Sequence, residues 1–241
     1  MPAAPMNLRD QAYQRFTRGL LAREIHAGQF VTQRQLTAIT GMPLGAIREL
    51  IPRLEADGLI RTVPQRGMQV AHVDVDLIRN AFEFRTIIER EAAARFAVSA
   101  PDAELDEIEE AHRAVLAAAA KGMTPALVAR AQRVDDGLHE RMVDALGNAI
   151  VANAFRVNFI KIRLIRQSQT TLDAPLVEPV MHDHLDIVAA LRTRDPAAAA
   201  RAIETHLSAA RDRALGIGRE RTGAAAGARP AARGTASTTG A

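Results

Sequence analysis

The chain contains no cysteine, no tryptophan and a single tyrosine. Without cysteine there is no disulfide framework, no thiolate metal ligand and no cysteine nucleophile. Long apolar runs are also missing, since nothing approaches the roughly 18 consecutive apolar residues of a membrane span. The opening segment, Met1-Pro-Ala-Ala-Pro-Met-Asn-Leu-Arg-Asp10, lacks the apolar core of a signal peptide. These absences predict a soluble, cytoplasmic protein with no membrane partner. A dominant charge is lacking too: the formal balance over 241 residues is only +3. Its distribution says more. Residues 9–66 carry nine Arg against five Asp or Glu, whereas 101–110 carry six acids and no base. Apolar residues make up 48% of the chain, enough for a sizeable core.

Composition separates a basic N-terminal region, an Ala-, Leu- and Arg-rich middle and a Gly/Ala/Ser/Thr tail. The expected division is 1–72, a linker at 73–76, an all-helical domain at 77–217, and a tail at 218–241. The tail has too few large apolar side chains to offset its ordering entropy, so it is expected to be disordered. In the first region, helical spacing of apolar residues predicts a helix from Ala12 to Ala27, stopped by Gly28. Thr32-Gln-Arg-Gln35 is a capping-box pattern opening a short second helix to about Thr40. A third helix runs from Pro43 to about Asp57, with Pro52 inside it as a cost or a kink. Leu59–Val63 and Met68–His72 read as two short strands joined by the turn Pro64-Gln-Arg-Gly67. Three helices and a two-stranded wing make a winged helix-turn-helix. The second region predicts an antiparallel bundle of six or seven helices. Two of these open on a cap followed by proline, Thr124-Pro125 and Asp195-Pro196. The fold class is therefore mainly α.

Two constellations carry chemistry. In the first region, Arg48 and Arg53 lie on the third helix, Arg34 lies on the second, and Arg66 stands beside Gly67 at the wing tip. Arginine suits DNA because its planar fork grips a guanine edge or a phosphate bidentately. In the second region, Asp135 and His139 are one helical turn apart. His184 and His206 are 22 apart, with the helix break at Asp195 at their midpoint, so an antiparallel hairpin brings them to one level. Three imidazoles and a carboxylate suit a divalent transition metal: Zn first, with Ni, Mn or Fe as alternatives. Asp136 competes with Asp135, and His182 competes with His184. Phe155 and Phe159, four apart, are expected in the core.

Leu36-Thr-Ala-Ile-Thr-Gly-Met42, Ile47-Arg-Glu-Leu50, Leu54-Glu-Ala-Asp-Gly-Leu-Ile60 and Pro64-Gln-Arg-Gly67 resemble the GntR family of bacterial transcription regulators. By that resemblance Arg34, Arg48 and Gly67 occupy positions used at DNA. The chain departs from the family at Pro43-Leu-Gly-Ala-Ile-Arg48, where Leu44 replaces the first arginine of the usual recognition-helix motif. Residues 75–217 are similar to the FadR-type, FCD ligand-binding domain. The matching residues are Phe84-Arg85…Glu89, Asp135-x-x-x-His139, Gly147-Asn148, His184-x-x-Ile187 and Asp195-Pro196…His206-Leu207. The resemblance implies Asp135, His139, His184 and His206 as metal ligands, and Arg85 as the grip on an effector carboxylate. The alternative for Arg85 is an i,i+4 ion pair with Glu89. Asn158, Arg163 and Arg166 are weaker pocket candidates.

The resulting expectation is a metabolite-responsive DNA-binding regulator, repressor or activator. It would act as a homodimer on a pseudo-palindromic operator, its recognition helices about 34 Å apart. A metal-dependent enzyme fused to a winged helix is the alternative. Against it, the chain has no His-Glu-x-x-His pattern, and four protein ligands resemble a binding site more than a three-ligand catalytic one. A regulator with a purely structural metal is the third reading.

Overall fold

Helix α1 (Leu8–Leu21) is capped by the Asn7 side chain, which accepts from the Asp10 amide at 2.8 Å. The computed structural model that shows this describes residues 7–168 and 174–217. The expected disordered tail, 218–241, lies outside the described residues. Helix α1 is shifted from the expected Ala12–Ala27. Arg23 turns left-handed (φ 62°), and the amides of Glu24 and Ile25 close back onto the Gly19 carbonyl. Ile25 still reaches the core, fully buried, from this turn. Its apolar side chain mimicked one more turn of helix in the sequence.

Helix α2 (Gln33–Thr40) carries the complete capping box between Thr32 and Gln35, and ends at Gly41 with φ 64°. Helix α3 (Leu44–Ala56) buries Ala46, Ile47, Leu50 and Leu54 on one face. It runs on through Pro52, which lies on the exposed side. There the Arg48 carbonyl, deprived of its helical donor, can meet solvent.

The wing has three strands rather than the expected two. β1 (Phe30–Val31), β2 (Ile60–Val63) and β3 (Gly67–Val70) pair antiparallel in the order β1-β3-β2. Thr62 faces Met68 in one ladder, and Val31 faces Met68 in the other. A two-residue strand is too short to show alternation, so β1 left no signal in the sequence. Gly67 is explained here by packing. Its φ is 89°, and a Cβ would stand 2.9 Å from the Val31 carbonyl oxygen.

Six helices follow: α4 (Val75–Ser99), α5 (Asp102–Ala119), α6 (Pro125–Asp144), α7 (Ala149–Ser168), α8 (Ala174–Arg192) and α9 (Pro196–Ala214). The side chains of Asp74, Thr124 and Asp195 cap α4, α6 and α9. The segment read as a linker is thus short and anchored, for Val73 is buried and α4 starts at Val75. Phe155 and Phe159 join Phe96, Met142, Ile187 and Leu207 in the bundle core. A second core continues across the two regions. Phe16, Leu20, Leu54 and Leu59 share it with Ile78 and Phe82 of α4, Ile162 and Ile165 of α7, and Ala214 of α9. The winged helix-turn-helix is therefore seated on α4, α7 and α9 of the helical bundle. Among the described residues no helix is long and apolar enough to cross a membrane.

Candidate metal centre

Helix α6 presents Asp135 and His139 from one face, both fully buried. Helices α8 and α9 meet them with His184 and His206, which are also buried. One ligand atom from each of the three histidines lies within 4.8 Å of those of the others. His184 Nε2 stands 3.3 Å from His206 Nε2 and 3.5 Å from Asp135 Oδ1. Asp135 Oδ1 and His139 Nε2 are buried without any hydrogen-bond partner. A buried carboxylate oxygen and a buried imidazole nitrogen left without a partner are costly unless an electrophile answers them. Nitrogens bound tetrahedrally at about 2.0–2.1 Å stand roughly 3.3 Å apart, close to the His184–His206 spacing. The residues fit a divalent metal ion.

The side chains behind the cluster hold it in this state. Glu89 of α4 accepts from His139 Nδ1 at 2.6 Å, which leaves Nε2 bare toward the cluster. Burial opposes ionisation of Glu89, but Arg85 and His139 outweigh it and hold the carboxyl at about 2. Arg166 of α7 donates to Asp135 Oδ2 at 2.6 Å, which leaves Oδ1 for the cluster. Burial alone would raise the Asp135 carboxyl, yet Arg166 and the neighbouring histidines hold it far below the usual carboxylate range. Burial lowers both partner imidazoles: His184 well below its ordinary value, His206 to about 4. Both rings are therefore neutral and able to ligate near neutral pH.

The two competitors differ in their surroundings. Asp136 is engaged by Arg163 and by Gln132, the latter at 2.8 Å. Burial and the charge of Asp135 raise its carboxyl. His182 is exposed. A fourth histidine, His112 of α5, went unnoticed in the sequence. It is buried, and its Nε2 is 3.1 Å from His184 Nδ1. No spacing could flag it, because its partner lies 72 residues away.

The expected effector residues turn out to have partners within the chain. Arg85 is fully buried and bonded through Nε to Glu89 at 2.5 Å, with Nη1 left unpartnered. The i,i+4 pair with Glu89 thus forms, but in the interior instead of on a surface. Asn158 donates to the Ala81 carbonyl at 3.0 Å, and Arg163 pairs with Asp136. Beside the cluster lies a cavity of about 30 Å³ lined by Phe82, Asp135, Arg166, Val180, His206 and Arg213. That is room for about one or two waters. Arg213 is half-buried, and its guanidinium makes no hydrogen bond or ion pair with another described residue. Burial lowers its guanidinium pKa and Arg166 adds to that, against the opposing charges of Asp183 and Asp135. It lines the cavity beside Arg166, and sequence reading missed it.

On the winged helix-turn-helix, Arg34 and Arg48 are exposed near the starts of α2 and α3. Arg48 Nε reaches Gln33 Oε1 at 3.4 Å, so the two helix starts share one surface. Arg66 is exposed and lies over the Phe30 ring at 4.3 Å, between β1 and the wing turn. Arg53 is different. It donates to Asp10 at 2.6 Å and lies 4.0 Å over the Tyr13 ring, tying α3 to α1. Leu44 is 41% exposed at the start of α3.

A winged helix-turn-helix seated on an all-helical domain defines a class, the two-domain DNA-binding transcription regulators. The FCD domain matches residues 80–209, more than half of the chain, and the chain belongs to that family as a GntR-type transcriptional regulator. It is 24% identical over 207 residues to the HTH-type transcriptional repressor RspR of Escherichia coli, covering 86% of this chain and 87% of that protein. The same figures hold for the HTH-type transcriptional regulator YdfH of Shigella flexneri. Among solved structures, E. coli McbR/YncC superposes with a TM-score of 0.71 at 14% identity, covering 90% of this chain and 99% of that one. A GntR transcriptional regulator from Rhodococcus sp. RHA1 gives 0.69 at 16% identity, covering 87% and 97%. At these identities the two structures attest the fold.

Proposed function

We propose that the protein is a metabolite-responsive transcription regulator whose helical domain, 77–217, holds a divalent metal on Asp135, His139, His184 and His206. The observation that carries this is the cluster of three buried histidines, with His139 Nε2 unpartnered and the unpartnered Asp135 Oδ1 3.5 Å from His184 Nε2. Zinc suits the set best; nickel, manganese and iron are the alternatives. Bound there, the metal supplies a Lewis-acidic position for an oxygen of a small organic acid.

The acid's carboxylate would meet Arg213 and Arg166, with the free Nη1 of Arg85, Asn158 and Arg163 around the site. The cavity has room for about two waters, so a carboxylate ligand would have to widen it between Arg166 of α7 and Arg213 of α9. Those two helices also carry Ile162, Ile165 and Ala214 into the core of the DNA-reading module. Ligand entry and DNA-module placement are therefore mechanically linked. The coupling requires only that the ligand bind the two arrangements unequally. Arg34, Arg48, Arg66 and Gly67 form the DNA side, and a homodimer in the cytoplasm reads a pseudo-palindromic operator. The protein acts as a binder and not as an enzyme.

The test is elemental analysis of the full chain after zinc loading and desalting. Stoichiometric zinc is expected in the wild type and none in the His184→Ala/His206→Ala double variant. Equal metal in both would overturn the reading. A small organic acid consumed by the loaded protein would instead favour the enzyme.

A further inference from the structure

We propose that His112 is a positioning residue for the metal centre: it fixes His184 as the Nδ1–H tautomer and so presents a bare Nε2 to the cluster. The inference rests on the metal reading above and deepens it.

His112 is 1% exposed, inside α5. Its Nδ1 lies 2.6 Å from the Ile108 carbonyl oxygen. A carbonyl can only accept, so the proton of this neutral ring is on Nδ1 and the lone pair is on Nε2. That lone pair meets His184 Nδ1 at 3.1 Å. The rings approach edge on, at 64° between planes. The contact is a hydrogen bond only if His184 carries its own proton on Nδ1. The other tautomer would set two lone pairs against each other inside the protein. It would also aim an N–H from Nε2 at His206 Nε2 and Asp135 Oδ1. The chain Ile108 carbonyl, His112, His184 thus orients the ligand from outside. The same task is done for His139 by the Glu89 carboxylate. The two ligands are supported differently: His139 leans on an anion and is the stronger donor, while His184 leans on a neutral ring. A residue that merely filled space under α8 would need neither polar contact.

Two measurements on the full chain test this. Long-range proton–nitrogen NMR on the histidine rings of the metal-free wild type is expected to show His184 protonated at Nδ1. Protonation at Nε2 overturns the proposal and needs no variant. Zinc affinity, read by competition with a chromophoric chelator, is expected to fall about ten- to hundredfold in His112→Leu. In His112→Gln, whose side-chain oxygen can accept from His184 Nδ1, affinity should return to within a few-fold of wild type. Unchanged affinity in a folded His112→Leu protein, or a Gln variant as weak as the Leu variant, also overturns it. If the wild type binds no zinc, the metal reading fails by itself, and the tautomer spectrum still decides what His112 does.

Discussion

Replacing Asp135 with Asn removes one charge from the interior while nearly keeping the shape. In the wild type the carboxylate is fully buried. One oxygen pairs with Arg166 at 2.6 Å and the other is free for metal. Breaking a buried pair from one side costs about 3–5 kcal/mol, because the remaining charge is stranded. Here the loss is smaller. Asp136 stands 3.7 Å from the same Arg166 nitrogen, and the Asn oxygen can still accept from it. We expect about 2–3 kcal/mol, which for a chain of this size lowers the melting temperature by about 5–10 °C. Circular dichroism melts of the metal-free proteins measure this. The second readout is zinc. Ligand at a hundred times its Kd adds about 2.7 kcal/mol to the wild type, and Asp135→Asn is expected to lose most of that gain. Asp136→Asn, whose carboxylate is engaged by Arg163 and Gln132, is expected to keep it. A zinc-induced shift of equal size in Asp135→Asn and wild type would refute Asp135 as a ligand. A metal-free Asp135→Asn protein as stable as wild type would refute the buried-pair argument.

The metal-free protein is expected to lose stability as pH falls from about 6.5 to about 4, because folding holds His206 neutral over that window while the unfolded chain takes up a proton. The loss from this group reaches about 3 kcal/mol, and a flat urea-melt profile over that range would count against it. Arg213→Met keeps the half-buried stem but removes the charge. It should abolish the thermal stabilisation given by whichever small carboxylic acids stabilise the wild type while leaving zinc content unchanged, and an undiminished response would contradict the cavity assignment. Operator affinity should fall steeply with salt. Arg48→Ala or Arg66→Ala is expected to reduce that slope by about one, whereas Arg53→Ala should lower the melting temperature and leave the slope alone. The reverse pattern in salt titrations would put Arg53 at the DNA.

Much of the fold is legible because its signals are local. The capping box at Thr32 and Gln35 and the cap-then-proline pairs at Thr124 and Asp195 are readable within four residues, and each opens a helix in the structure. The discrepancies arise where distant packing decides. Ile25 continues a helical period in the sequence, yet it packs from a left-handed turn. Phe30–Val31 becomes a strand only because Gly67 lets the wing approach its carbonyl. Arg53 has the same recognition-helix address as Arg48, but Tyr13 and Asp10 on α1 claim it.

The absences at the outset did real narrowing: with no cysteine, any transition-metal site had to be built from histidine and carboxylate. Helical spacing then put Asp135 and His139 on one face and His184 and His206 at one level, since four-residue steps and hairpin symmetry are properties of the chain alone. Tertiary packing buries His184 and exposes His182, and it sets Arg166 of α7 on Asp135 and Arg163 of α7 on Asp136. It also supplied Glu89, His112 and Arg213, whose parts are set by neighbours on other helices. A residue's type and spacing say what it can bind; which proton it keeps, and which charge it must answer, is decided by what the fold places against it.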